Sequence, residues 1–200
     1  MGKGRSAGIE FMAQKTAGKT TGWLSYTLSK SDRKFTKGGI NNGEWFPYKY
    51  DRRHSINLTI NHKFSDRIDI GASWVFYTGG TSTIPEEKTT VIRPHNGANN
   101  GFLWYGTYDN TNSSPTIGDV SYIEHRNNFR LPASHRLNLG VNFNKKTKHG
   151  MRTWNISLYN AYNAMNPAWV YRGHNKQGLS VIKKYTLLPL IPSFTYTYKF

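Results

Sequence analysis

The chain has 200 residues, of which only 36% are hydrophobic, with a mean hydropathy of −0.67 and a formal net charge of +16. No run approaches the roughly 18 to 20 apolar residues of a membrane-spanning helix, so a helical membrane protein is excluded. Cysteine is absent, which excludes thiolate metal sites and disulfide frameworks.

Period-2 alternation recurs along the chain and no helical period competes with it, so the sequence reads as all-β. The first predicted strand covers Gly8 to Thr16, with Ile9, Phe11 and Ala13 opposite Glu10, Met12 and Gln14. A short turn at Ala17 to Lys19 leads into Thr20 to Ser31, where Leu24, Tyr26 and Leu28 face away from Ser25, Thr27 and Ser29. A longer loop, Asp32 to about Lys49, precedes a strand from Tyr50 to Phe64 with Ile56, Leu58 and Ile60 on one face.

Ser65 and Asp66 form a tight turn before Arg67 to Thr78, which sets Ile68, Ile70, Ala72, Trp74 and Phe76 against Asp69, Gly71 and Ser73. Gly79 to Pro132, rich in Gly, Asn, Pro, Ser and Thr, reads as a long loop. The fifth strand, Ser134 to Asn144, alternates Leu137, Leu139, Val141 and Phe143 with Arg136, Asn138 and Asn142. Lys145 to Gly150 turns the chain into Met151 to Asn163, with Trp154, Ile156 and Leu158 on one side. A third loop, about Ala164 to Lys184, precedes the closing strand. There Phe194, Tyr196, Tyr198 and Phe200 form an aromatic stripe against Thr195, Thr197 and Lys199.

These segments of about 9 to 15 residues exceed the roughly 5 to 6 typical of globular strands and match the roughly 9 to 11 that cross a bilayer at a tilt. Long and short connections alternate, as in outer-membrane barrels with long external loops and short periplasmic turns. The expected fold is therefore an antiparallel transmembrane β-barrel wall of about seven long strands. Seven such strands cannot close on themselves, because the first and last would run in the same direction. A soluble β-sandwich, with its apolar faces meeting in a dry core, is the competing expectation.

Four stretches resemble one family, the TonB-dependent outer-membrane receptors, and specifically the C-terminal part of their barrel. They are Phe46 to His54 (FPYKYDRRH), Arg126 to Gly140 (RNNFRLPASHRLNLG), Trp154 to Pro167 (WNISLYNAYNAMNP) and Pro189 to Phe200 (PLIPSFTYTYKF). The resemblance implies that residues 1–200 are an incomplete barrel, a fragment of a plugged barrel of about 22 strands. No plug domain, TonB box or signal peptide is visible in it. It further implies wall and external loops of a nutrient-uptake receptor in the bacterial outer membrane, inactive in transport by itself. The expected partners are outer-membrane lipid and lipopolysaccharide, the remainder of the receptor with its plug, and the barrel-assembly machinery. In this family that machinery recognises the last strand, here Phe194, Tyr196, Tyr198 and Phe200. TonB itself would be reached only through the missing N-terminal part.

Other chemistries find little support. Gly18-Lys19-Thr20 imitates the end of a phosphate-binding loop, but that motif needs a Gly where Ala13 stands. The 7 histidines lack paired ligand spacing, so neither a metal site nor a cofactor is expected. Glu86-Glu87 has no partner arrangement, and no nucleophile elbow occurs, so no enzyme is expected.

Trp74 and Trp154 fall on the outward stripe and suit an aromatic belt at the headgroups. Trp104 and Tyr105, in the long loop, are candidate ligand contacts. Arg52, Arg53, Arg130 and Arg136 could line the lumen or grip lipopolysaccharide phosphates at the rim. Nucleic acid is not an expected partner of the wall, because the basic residues are scattered. The alternative function is a soluble basic β-domain binding a polyanion through its aromatic and Arg/Lys-rich face.

Overall fold

A computed structural model describes residues 1–93 and 116–200, with side chains described outside 87–121. The chain divides into two units, one formed by residues 1–84 with 125–200 and the other by residues 85–124.

In the first unit the strands are β1 (Gly2–Lys15), β2 (Thr20–Phe35), β3 (Phe46–Pro47), β4 (His54–Lys63), β5 (Ile68–Tyr77) and β6 (Thr81–Ser82). The second unit holds an antiparallel hairpin of β7 (Glu87–Arg93) and β8 (Thr116–Tyr122). The first unit resumes with β9 (Phe129–Arg130), β10 (Ser134–Thr147), β11 (Gly150–Tyr159), β12 (Pro167–His174), β13 (Ser180–Thr186) and β14 (Ile191–Lys199). Among the described residues there is no α-helix, and Ile40–Gly43 forms a short 3-10 turn.

Seven long strands form one antiparallel meander in the order β1-β2-β4-β5-β10-β11-β14, with β3 paired to the end of β2. The sheet does not close, so β1 and β14 are its two edges. The expected all-β, antiparallel, seven-strand organisation is therefore present.

Tight turns join the strands at one end. Gly18 takes φ +93° in the first of them, a conformation that costs glycine nothing. In the second, the Ser65 hydroxyl accepts from the amides of Arg67 and Ile68, both at 3.2 Å. Every long connection leaves from the opposite end.

Several boundaries differ from expectation. β1 begins at Gly2 rather than Gly8, because its pairing with β2 continues unbroken from Lys15↔Gly22 to Gly2↔Phe35 although the apolar alternation stops at Ile9. β4 begins at His54 rather than Tyr50, since the preceding segment is recruited into loop-end hydrogen bonds described below. The expected loop 164–184 contains most of an antiparallel hairpin, β12–β13, and the expected loop 79–132 contains β6 to β9.

The register assigns every long strand two chemically distinct faces. On one lie Ile9, Phe11 and Ala13 of β1 with Leu28, Tyr26 and Leu24 of β2, and Ile56, Leu58 and Ile60 of β4 with Phe76, Trp74 and Ala72 of β5. The same face continues through Leu137, Leu139, Val141 and Phe143 of β10, Leu158, Ile156 and Trp154 of β11, and Phe194 and Tyr196 of β14. The opposite face carries Asn, Ser, Thr, Gly and Asp. Among the described residues only Phe46 and Ile84 are buried apolar side chains, so no second layer covers the apolar face and no sandwich core exists there.

Candidate functional site

The apolar face is an organised surface. At its turn end, Trp154 packs on Tyr196 and Phe194 with ring centroids 4.5 and 5.0 Å apart, and Phe143 lies opposite Trp154 on β10. At its loop end, Trp74 stacks on Phe76 at 6.0 Å and its indole Nε1 donates to the Tyr162 hydroxyl at 3.1 Å. The same hydroxyl hydrogen-bonds His135 Nδ1 at 2.8 Å. Between these aromatic ends the rungs are aliphatic: Ile70, Val141 and Ile156, then Ile60, Ala72, Leu139 and Leu158. Ile68 and Phe76 stand eight positions apart on β5, about 26 Å along a strand rising roughly 3.3 Å per residue.

These side chains are open to the surroundings: Ile156 is 50% exposed, Trp154 44%, Phe143 42% and Phe194 64%. Trp74 is half-buried by its neighbours. Trp154 and Trp74 thus sit at opposite ends of one aliphatic band.

The polar face satisfies itself by cross-strand hydrogen bonds. Asp69 Oδ2 and Oδ1 accept from the side-chain amides of Asn142 at 2.7 Å and Asn144 at 2.6 Å. Asn142 in turn accepts from Asn155 at 2.7 Å, Asn144 accepts from Thr153 at 2.8 Å, and the Ser157 and Ser193 hydroxyls pair at 2.7 Å.

The loop end is fastened by a buried ionic cluster. Asp51, whose side chain is fully buried, accepts from Arg130 Nη2 at 2.6 Å, Arg53 Nε at 3.1 Å and the Ser31 amide at 2.7 Å. Arg130 Nη1 also donates to the carbonyl oxygens of Asp51 at 2.8 Å and Gly79 at 2.9 Å. Gly79 has no room for a side chain, since a Cβ there would collide with the Leu131 carbonyl. Burial alone would push the Asp51 carboxyl up, but the hydrogen bonds from Arg130 and Ser31 and the charge of Arg53 hold it below the usual carboxylate range.

Asparagine side chains tie down the rest. An amide carries a donor and an acceptor, so it can pair with the N–H and C=O of one extended residue as a neighbouring strand would. Asn166 does this to His135 of β10 (3.0 and 2.8 Å), and in the connections Asn41 takes both backbone groups of Arg126 (2.7 and 3.1 Å) and Asn128 those of Ile84 (both 2.9 Å). Asn160, 1% exposed and at φ +53°, donates to the carbonyls of Ala164 and Leu188 and accepts from the Ala164 amide. Asn163 accepts from the Leu190 amide at 3.0 Å.

Three of the four resembling stretches therefore converge at the loop end. Asp51 and Arg53 of the first meet Arg130 of the second, whose His135 meets Asn166 of the third. The fourth supplies β14, where Phe194, Tyr196 and Tyr198 alternate with Thr195 and Thr197 as expected.

The arginines left open by the sequence now have places. Arg53 and Arg130 are committed to Asp51; Arg136 lies on the polar face, donating to the Tyr159 hydroxyl with its guanidinium 4.3 Å from that ring. Arg52 stands 4.0 Å over the Tyr77 ring. Trp104 and Tyr105 lie outside the described residues. Comparison with protein-family models, with curated proteins and with solved structures returned no match.

Proposed function

We propose that this chain is the wall and loop region of an outer-membrane β-barrel, of the TonB-dependent receptor type, serving nutrient uptake. The observation that carries the reading is the uncovered apolar face of a hydrogen-bonded sheet whose other face is mainly polar, with Met12, Trp23 and Val75 among its exceptions. Leaving Ile9, Phe11, Phe143, Trp154, Ile156 and Phe194 in water, each 42 to 72% exposed, would forgo roughly half of the about 1.5–3 kcal/mol that full burial of such a side chain supplies. Hydrocarbon against that face recovers the loss, and water against the Asn, Ser and Thr face satisfies its remaining polar atoms.

The aromatic ends built around Trp154 and Trp74, the segregation of tight turns from long connections, and strand lengths sufficient to cross a tilted bilayer all support the same reading. The receptor type rests on the four resembling stretches, three of them tied together at the loop end. On this reading β14, with Phe194, Tyr196 and Tyr198, and the Phe200 that follows it form the signal that the barrel-assembly machinery recognises. The edges β1 and β14 call for further strands, since an open edge in hydrocarbon would leave backbone groups unsatisfied.

The experiment is flotation of the purified chain with phosphatidylcholine vesicles. The wall reading requires that it partition into the vesicles, resist extraction by urea and remain cleavable by protease only at the long loops. A chain that stays monomeric in buffer without lipid or detergent, and binds a polyanion there, supports the soluble basic domain instead.

A further inference from the structure

Three arginines at the loop end of the polar face share one arrangement. The guanidinium of Arg33 lies 4.2 Å from the Tyr48 ring, that of Arg52 4.0 Å from Tyr77 and that of Arg136 4.3 Å from Tyr159. Tyr77 shares a rung with Thr27, Ser55 and Ser134, and Arg136 faces Val75 on the next rung of that face. Arg52 and Arg136 thus flank Tyr77, while Arg33 stands six positions beyond Thr27, about 20 Å farther out along β2. Among the described residues none of the three arginines forms an ion pair. Arg33 Nη1 donates to the Asp32 carbonyl at 3.4 Å. Arg136 donates to the neutral Tyr159 hydroxyl, and its buried Nε meets no acceptor among the described residues. The carboxylates of this face lie elsewhere: Asp51 is held by Arg53 and Arg130, Asp69 by Asn142 and Asn144, and Glu10 stands three strands from Tyr77 in its rung, about 14 Å away.

Resting on the wall reading above, we infer that Arg52 and Arg136, backed by Tyr77 and Tyr159, form a subsite on the lumen face for a small solute bearing two or more oxyanion groups, carboxylate or phosphate, with Arg33 on Tyr48 as an outer contact. A ring behind a guanidinium fixes its plane and leaves free the edge N–H groups, which match an oxyanion in pairs. Two such forks on either side of one tyrosine engage a polyanion fully and a monoanion only by half. Arg136 is half-buried, so water solvates its charge incompletely and an anion is the partner that compensates it. A neutral solute, such as an unmodified sugar, would cover the same charge and supply none. The subsite therefore separates anionic cargo from neutral cargo.

The test is titration of the full chain in detergent micelles, carrying isotopically labelled arginine, with tricarballylate, inorganic phosphate or sucrose. Saturable shifts of the Arg52 and Arg136 side-chain resonances are expected with the anions and none with sucrose. Tighter binding of tricarballylate assigns the carboxylate as the recognised group, and tighter binding of phosphate the phosphoryl group. R52Q/R136Q is expected to weaken the binding by at least about tenfold, and R52K/R136K, which keeps the charges without the forks, to weaken it less. R152Q, on the opposite face at the turn end, should bind as the unaltered chain does. Absence of saturable shifts, an equal response to sucrose, or undiminished binding by an R52Q/R136Q chain that still floats with phosphatidylcholine vesicles overturns the subsite. Failure of the unaltered chain to float sinks the wall reading itself, whereas flotation without anion binding sinks only the subsite.

Discussion

Asp51 and Arg130 are 79 positions apart in sequence and meet at 2.6 Å, joining the approach to β4 with the approach to β10 across the loop end of the sheet. Because the Asp51 side chain is fully buried, removing its charge strands two guanidinium groups and the Ser31 amide together. Each arginine keeps about a third of its side chain exposed, 33% for Arg130 and 35% for Arg53, which moderates the penalty. Asp51→Asn is expected to cost about 1–3 kcal/mol. Denaturant unfolding in detergent micelles, with protease nicking of residues 36–53 as the local readout, checks it.

The same carboxyl sets an acid limit. Its folded value lies below the ordinary one, so its stabilising contribution is complete above the unfolded value of about 3.9 and is lost as pH falls through the lower, folded value. The Ser31 amide resonance should therefore be flat from neutral pH down to about pH 4 and titrate only below it. Asp51→Asn should abolish that titration; a midpoint near or above the ordinary value would refute the placement.

Asn160→Ala removes three side-chain hydrogen bonds and puts alanine at φ +53°. A loss of about 2–4 kcal/mol follows, concentrated in the connection that carries β12–β13. Faster proteolysis between residues 160 and 190, with little change at the turn end, is the expected signature.

Substitution of charge on the two faces should have unequal consequences. Ile156→Lys places an ammonium in the middle of the aliphatic band and should cost about 2–4 kcal/mol of vesicle insertion. Thr195→Lys, on the polar face one strand away, should leave insertion nearly unchanged. Equal effects of the two would argue against a two-sided wall.

The strands were legible because alternation is a local property: Leu137, Leu139, Val141 and Phe143 announce β10 without reference to anything else. The short turns account for three of the neighbour pairings, β1–β2, β4–β5 and β10–β11, while β2–β4, β5–β10 and β11–β14 pair across long connections. What stayed hidden depended on distant partners. Gly2 to Ala7 carries Lys3 and Arg5 where an apolar side chain would be expected, so only its pairing with Phe35 to Lys30 reveals a strand. The hairpin β12–β13 stacks Trp169 on Tyr185 at 4.2 Å yet mixes Arg172, Lys183 and Lys184 among its residues, which erases any clean apolar face. The Asn side chains were visible as loop composition, but their substitution for missing strand partners was not. The only sequence hint is the three-residue spacing of Asn160, Asn163 and Asn166 immediately after β11. The arginine alternatives could not be separated without register, which commits Arg53 and Arg130 to Asp51, sets Arg136 against Tyr159 and leaves Arg52 over the Tyr77 ring.

The most direct measurement exploits the absence of cysteine. Single cysteines introduced at residues 153 through 158 of β11 and labelled with a spin probe report, in phosphatidylcholine vesicles, collisions with oxygen dissolved in hydrocarbon or with a water-soluble nickel chelate. The two-faced wall predicts oxygen access at 154, 156 and 158 and chelate access at 153, 155 and 157, alternating at every step. Uniform chelate access along the strand, or shielding of 154, 156 and 158 from both reagents, would contradict it.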